Sequence, residues 1–447
     1  MQGGGEDFRE QLMDEVPSDV PLQRPREEGG DSHPAEEILD EGRLKGIRGV
    51  EEVKVLHLAW EFPPWKVGGI APYLSGLSKT LARKGIEVHV VCPGPETKDS
   101  EMEGVKVHYF KADFPSNDFI SWVLQMNFFM KRRIIELWKS ERFDLIHAHD
   151  WLSTLPAIYA KHAYRVPLVA TVHDTEQGRW GKGQGIPMIN ELDWKLTYEA
   201  WKVSVLSDFM KWHLQDLFNV PEDKIWVISP GIEADGYRFE FDPNLRNNFA
   251  APWERIVLFV GRMFHQKGCD ILVGAAPFIL KEFPDVKFVC VGEGYARMQY
   301  TDLANWMGVG QKFYFTGFLD EFTKRALMQL ADVIAIPSRH EPFGIVALEG
   351  MCAGTPVVVA DEGGLANIVQ HEYNGIKVWK EHSESLAWGI KRVLRDPELA
   401  KRLVENGFKT VRERYDWNKN TDLMIKLYEE VLEEYEKSDW KVKATSP

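Results

Sequence analysis

Strands and helices alternate along most of this chain, and the alternation runs twice. The first series opens at Lys54-Val55-Leu56-His57-Leu58-Ala59. Residues 71–84 carry helical periodicity and stop at Gly85, a residue suited to the left-handed turn that ends helices. Further strands are read at 88–91, 105–109, 145–149, 168–172, 203–206 and 225–228. Ser116 is the expected N-cap of a long amphipathic helix reaching about Ser140. The second series restarts at 256–260 and continues through 286–291, 313–315, 333–336 and 357–359. Strands separated by helices pair in parallel and need helices on both faces. The fold class is therefore α/β, with two doubly wound parallel-sheet halves. They meet near Ser229-Pro230-Gly231, and one more helix is read at 417–437.

In an open parallel sheet, ligands bind outside the carboxyl ends of the strands. The most informative segment at such an edge is Ser338-Arg339-His340-Glu341-Pro342-Phe343-Gly344-Ile345-Val346-Ala347-Leu348-Glu349. It follows the strand 333–336 and leads into an apolar helix. A helix start offers free N–H groups and a positive dipole, which suit a phosphate. Glu341 and Glu349 flank that start and can accept hydrogen bonds from hydroxyls. A phosphate site framed by two hydroxyl acceptors points to a sugar nucleotide. A glycosidase is the competing reading, since its two carboxylates stand ~5–9.5 Å apart. Eight residues of continuous helix span ~12 Å, which fits two ends of a longer ligand better.

Other edges carry matching chemistry. Gly261-Arg262 ends the strand 256–260, and Lys267-Gly268 precedes the next helix. A guanidinium fork and an ammonium suit a diphosphate. Lys66-Val67-Gly68-Gly69 lies between the first strand and the first helix, where glycine lets amides approach an anion. The chain lacks G-x-G-x-x-G at that position, which counts against a nicotinamide enzyme. His173 ends the strand 168–172, and His149-Asp150 ends the strand 145–149. His147 and His149 alternate along one strand and are expected on opposite faces, so no metal pair is read there.

Composition narrows the class. The chain has 447 residues with 44% hydrophobic and 27% charged, a globular profile large enough for two or three cores. No apolar run approaches the ~18–20 residues of a membrane span. Four cysteines form no C-x-x-C pair and are expected as buried thiols. With a polar N-terminus lacking signal-peptide character, a cytoplasmic location is expected. Net charge is −14, and residues 1–52 alone hold 15 acids against 6 bases. That segment reads as a disordered acidic tail. No basic stripe argues for nucleic acid.

Together these motifs resemble the retaining nucleotide-sugar glycosyltransferases of the two-Rossmann (GT-B) architecture, in the glycogen/starch synthase-like group of families 4 and 5. The resemblance covers about residues 53–435. It rests on Glu341-x7-Glu349 in its Pro-Phe-Gly setting and on Val260-Gly261-Arg262 followed by Lys267-Gly268. Gly354-Thr355-Pro356-Val357-Val358 and Gly363-Gly364-Leu365 extend it. Lys66-Val67-Gly68-Gly69 and His149-Asp150-Trp151 look like glycogen synthases, and His173 to Arg179 resembles shorter prokaryotic family-4 members. Two positions depart from the pattern. Pro230 stands in Ser-Pro-Gly-Ile-Glu where Asn-Gly-Ile/Val-Asp is usual, and Asn367 stands where an acid is common.

The resemblance implies roles. Arg262 and Lys267 would neutralise a donor diphosphate, with amides of Phe343, Gly344 and Ile345. Glu349 would hold the ribose, Glu341 the sugar near its 3-hydroxyl, and Thr316-Gly317 the base. Gly68 and Gly69 would meet the phosphate from the other half, with Lys66 and Asp150 in the substrate-binding set. His173 would lie near the anomeric centre and the 6-hydroxyl. No metal or cofactor is implied, since the nucleotide sugar is a substrate. The expected units are a tail at 1–52, an acceptor domain at 53–230, a donor domain at 231–412, a returning helix at 413–437 and a tail at 438–447. The expected reaction moves glucose from ADP-glucose or UDP-glucose to the non-reducing end of an α-1,4-glucan. A disaccharide- or glycolipid-forming transferase, a UDP-sugar epimerase and an inactive binding module are the alternatives.

Overall fold

The computed structural model describes residues 53–65, 68–112 and 115–441. The expected acidic tail, Lys66 and residues 442–447 lie outside the described residues.

Two sheets carry the fold. The first holds β1 (Lys54–Leu58), β2 (Glu87–Gly94), β3 (Lys98–Met102), β4 (Val105–Lys111), β5 (Leu145–His149), β6 (Leu168–Val172), β7 (Lys202–Val205) and β8 (Ile225–Val227). Its order is β3-β4-β2-β1-β5-β6-β7-β8, parallel except for β3. The second holds β9 (Arg255–Val260), β10 (Val286–Val291), β11 (Phe313–Gly317), β12 (Val333–Ile336), β13 (Val357–Ala360) and β14 (Ile376–Val378). Its order is β11-β10-β9-β12-β13-β14, parallel throughout. The central strands are buried on both faces, which is why they read as apolar runs rather than alternating ones.

Helices of the first half are α1 (Ile70–Arg83), α2 (Phe119–Leu137), α3 (Thr154–Tyr164), α4 (Glu176–Trp180), α5 (Pro187–Glu199) and α6 (Asp208–Phe218). Those of the second are α7 (Cys269–Leu280), α8 (Arg297–Trp306), α9 (Glu321–Leu330), α10 (Ile345–Ala353), α11 (Gly363–Ile368), α12 (Ser383–Arg395) and α13 (Pro397–Arg414). The four cysteines are free and buried. No helix among the described residues is long and apolar enough to cross a membrane.

Three details differ from the reading of the sequence. The long helix starts after Asp118, not Ser116, because the Asp118 carboxylate accepts from Ser121 N at 2.8 Å. β3 pairs antiparallel at the sheet edge and is strongly charged, so it lacks a strand's usual signature. β14 is three residues long, too short to show periodicity.

The final helix, α14 (Trp417–Lys437), packs against α1 of the first half. It buries Met424, Leu427, Tyr428 and Val431. Each such side chain contributes ~1.5–3 kcal/mol by leaving water. The Tyr428 hydroxyl bonds His147 Nδ1 at 2.6 Å, inside the first sheet's packing layer. In the turns that follow, Lys202 Nζ meets Glu430 at 2.6 Å and Glu434 at 3.0 Å. Replacing Tyr428 by Phe strands a buried imidazole nitrogen. Chemical denaturation should show a loss of ~1–3 kcal/mol, and an unchanged midpoint would contradict this role.

Candidate functional site

Every candidate residue of the second half sits at the carboxyl edge of its sheet. Lys267 follows β9, and Glu341 lies in the loop between β12 and α10. Lys267 Nζ bonds both carboxylate oxygens of Glu341, at 3.0 and 2.8 Å, and Ser338 Oγ donates to Glu341 Oε2 at 3.0 Å. The two segments are stitched together beside this pair. Arg339 forks onto Asp270 at 2.9 and 2.5 Å, and its backbone N–H donates to Gln266 O at 2.7 Å. Arg262 places its guanidinium 4.7 Å from the Phe264 ring.

Backbone packing explains the Gly-Gly-Leu motif. Gly364 N donates to Glu341 O at 2.7 Å. A Cβ on Gly364 would lie 2.3 Å from Phe343 O, and one on Gly363 would lie 2.2 Å from Glu341 O. Only glycine admits the loop this close. α10 then begins at Ile345, with Gly344 in the left-handed region at φ 110°. Phe343 is buried, and Ile345 is exposed.

Glu349, one turn into α10, is buried and held by two partners. Its Oε1 accepts from the Tyr237 hydroxyl at 2.8 Å and from Lys324 Nζ at 3.1 Å. Thr316 and Gly317 end β11, with the Thr316 hydroxyl turned onto Gly317 O at 2.9 Å.

The first half faces this edge through the loop after β6. His173 N donates to Asp150 Oδ1 at 2.6 Å. Asp150 is buried and adopts a left-handed φ of 57°, a strained state for a residue with a Cβ. Burial pushes its carboxyl up to about 7. The next residue, Asp174, crosses to the other half. Its Oδ1 meets His340 Nε2 at 2.8 Å, and its Oδ2 accepts from Arg179 Nε at 2.8 Å. Burial alone would raise the Asp174 carboxyl, but the charges of Arg179 and His340 outweigh it and hold the group ionised. Ser207 Oγ donates to Pro342 O at 2.6 Å, and Phe209 N donates to Asn367 Oδ1 at 3.3 Å. His173 and Glu341 thus sit one residue either side of a polar bridge between the halves. Asn367, the departure from the family pattern, belongs to the same clasp.

Two expectations need correction. Gly68 was expected to offer its amide to a phosphate, but that N–H donates to Glu61 Oε2 at 2.6 Å. Glu61 is buried, and its Oε1 also accepts from Ile70 N at 3.0 Å and Ala71 N at 3.2 Å. The protein's own carboxylate therefore occupies the start of α1, where anions are favoured. Gly69 adjoins it with open space beside its Cα. The second correction concerns the histidines. Residues two apart on a strand share a face. His147 and His149 stack with centroids 4.5 Å apart, and from the neighbouring strand His57 stacks on His149 and lies tilted at 35° against His147. One nitrogen of each of the three rings lies within 4.8 Å of the others, but His57 Nδ1 is bonded to His149 Nε2 at 3.1 Å. His147 is moreover committed to Tyr428 and to Thr171 Oγ1 at 2.7 Å.

The family models meet this architecture half by half. "Glycosyltransferase Family 4" matches residues 67–235, and "Glycosyl transferases group 1" matches residues 242–410. An uncharacterized glycosyltransferase of Methanocaldococcus jannaschii is 37% identical, covering 85% of this chain and 99% of that protein. The chain belongs to the GT-B glycosyltransferases of families 4 and 5. Other relatives of this glycosyltransferase include a glycogen synthase of Mycobacterium tuberculosis, 32% identical over 84% of this chain and 94% of that protein. A D-inositol 3-phosphate glycosyltransferase of Saccharomonospora viridis is 28% identical over 82% and 90%. Among solved structures, sucrose-phosphate synthase from Thermosynechococcus elongatus shares the fold with a TM-score of 0.75 at 23% identity, covering 86% of this chain and 100% of that one. Starch synthase IV from Arabidopsis thaliana, bound to ADP and acarbose, has a TM-score of 0.69 at 18% identity, covering 85% and 99%.

Tyr237, Lys324, Asp174, His340 and Glu61 had no role in the sequence reading. His340 stood inside a motif, beside Glu341, and Asp174 inside the run His173 to Arg179.

Two tests follow from this geometry. Gly364→Ala should push the Glu341 loop away and cost on the order of 10²-fold in turnover of a fitting nucleotide sugar, because small displacements of positioning groups have that effect. Unchanged turnover would contradict the packing argument. The second test is pH. Burial depresses proton affinity at His57 and His173 to about 3, and at His147 and His149 well below the usual value. The unfolded chain binds these protons first. Their effect on stability is therefore nil above pH ~6.5 and increasingly unfavourable as pH falls toward 3, at up to ~1.4 kcal/mol per pH unit for each ring. His57→Phe should shallow that slope by about one proton, measured by denaturation between pH 7.5 and 5; an equal slope contradicts it.

Proposed function

We propose that this glycosyltransferase moves glucose from ADP-glucose or UDP-glucose to the non-reducing end of an α-1,4-glucan, with retention at the anomeric carbon. The observation that carries the reading is the Lys267–Glu341 pair at one sheet edge, near Arg262 and the start of α10 and one residue from the His340–Asp174 bridge beside His173. The relationship to a glycogen synthase over most of both chains supports the acceptor class.

In this reading the leaving diphosphate lies against Lys267, Arg262 and the amides of Phe343, Gly344 and Ile345. As the sugar–phosphate bond breaks, negative charge collects on that group. Fixed cations and N–H dipoles already aimed there lower the barrier without reorganising. The acceptor hydroxyl attacks from the face the diphosphate leaves, and the departing phosphate oxygen receives its proton. Glu341 accepts from the sugar near its 3-hydroxyl. Lys267 holds the Glu341 carboxylate in place for that task while presenting charge to the phosphate. Glu349 takes the ribose hydroxyls on the oxygen that Tyr237 and Lys324 leave open. Thr316 and Gly317 border the base, and Gly69 approaches from the other half; Lys66 is assigned to the same substrate-binding set on the sequence alone. Asp150 acts by holding the His173 backbone. No cofactor takes part.

The relationship to D-inositol 3-phosphate glycosyltransferases favours, as second reading, transfer to a small acceptor on the same donor site. Product analysis with both donors against maltooligosaccharides, small sugars and inositol phosphate separates the two. Lengthened maltooligosaccharide is the expected product. A product with small acceptors alone selects the second reading, and donor turnover needing no acceptor contradicts both. Lys267→Ala should lose ~10²–10³-fold in turnover while circular dichroism stays native, and near-normal activity would overturn the site.

A further inference from the structure

Three imidazoles form one hydrogen-bonded line. His57 Nδ1 lies 3.1 Å from His149 Nε2, and His149 Nδ1 lies 3.3 Å from His173 Nε2. His57 and His149 are wholly buried, while His173 keeps 8% of its surface open. Burial keeps all three rings uncharged near neutral pH. His147 stacks against the line but bonds elsewhere.

A neutral imidazole has one N–H and one lone pair. Each ring therefore passes the same choice to the next. Either all three rings carry the proton on Nδ1, or all three carry it on Nε2. The two states differ at the ends. His57 Nε2 is sealed from solvent and has no hydrogen-bond partner among the described residues. In the second state it would be a buried, unpaired N–H. Orphaned buried N–H groups are rarer than under-used acceptors. The first state leaves only a bare lone pair there. Its other end is His173 Nδ1, the nitrogen that the line leaves over at the edge facing the second half.

We propose that His57 and His149 are positioning residues that fix His173 as its Nδ1–H tautomer, a permanent hydrogen-bond donor to an oxygen of the bound sugar. The sugar half of this statement rests on the donor-site reading above; the tautomer half rests on the line itself. A neutral donor-only nitrogen favours hydroxyl, ring or phosphate oxygens. It gives nothing to an ammonium, so an amino group facing it is refused.

Long-range 1H–15N correlation of histidine-labelled protein at pH 8, without substrate, reads the tautomer directly. Ring signals are assigned by single substitutions among the 13 histidines. The expected result is a proton on Nδ1 of His173, His149 and His57. A proton on Nε2 of His173, or an equal mixture, overturns the proposal. His149→Phe removes the middle of the line, whereas His149→Gln keeps an amide donor. His173 should become a mixture in the Phe variant and stay Nδ1–H in the Gln variant. Loss of that order should cost kcat/KM about tenfold in the Phe variant beyond the Gln variant, the worth of one neutral hydrogen bond. A His173 that keeps Nδ1–H in the Phe variant overturns the relay. If the tautomers are as expected but no nucleotide sugar is turned over, the donor-site reading fails and the relay stands.

Discussion

The site depends on one close backbone contact. The carbonyl of Glu341 and the amide of Gly364 meet at 2.7 Å, with no room for a side chain between the segments. That contact sets the 341–343 loop on top of α11. It aims Glu341 at Lys267 just ahead of the start of α10. The loop then reaches across to the first half through His340 and the Pro342 carbonyl. Moving the glycines would shift the cation partner, the helix start and the bridge together.

Charge is arranged differently on the two sides of that bridge. At its site the second half pairs three carboxylates with cations: Glu341 with Lys267, Glu349 with Lys324, and Asp270 with Arg339. The first half surrounds His173 with uncharged imidazoles and with a carboxyl pushed toward protonation at Asp150. A phosphate suits the first environment and a neutral sugar suits the second. Asp174, held ionised by Arg179 and His340, is spent on joining the halves. Glu61 similarly satisfies the start of α1, leaving the anion-binding charge concentrated on the second sheet.

Periodicity made the sheets and nearly all central strands legible, because buried parallel strands are short apolar runs between helices. It failed at β3, whose charged side chains pair at an edge, and at β14, which is too short. The Lys267 and Glu341 edge was legible because strand ends locate ligand sites whatever the side chains do. The supporting contacts were not. Tyr237 and Lys324 meet Glu349, and Asp174 meets His340, only through tertiary packing of distant segments. The histidine line was misread by placing His147 and His149 on opposite faces, although a period of two puts them on the same one. With that register, His57 falls beside His147 on the next strand, and the stack follows.

The central claim is that a nucleoside diphosphate binds at the second sheet's carboxyl edge, against Lys267 and the start of α10. A crystal structure of the protein with ADP or UDP tests it most directly. The account predicts the diphosphate at about 3 Å from Lys267 Nζ and from amides of the 343–345 segment, a normal charge-assisted hydrogen-bond distance. A diphosphate seated instead on the start of α1, with Glu61 displaced, or away from Lys267 altogether, would contradict it.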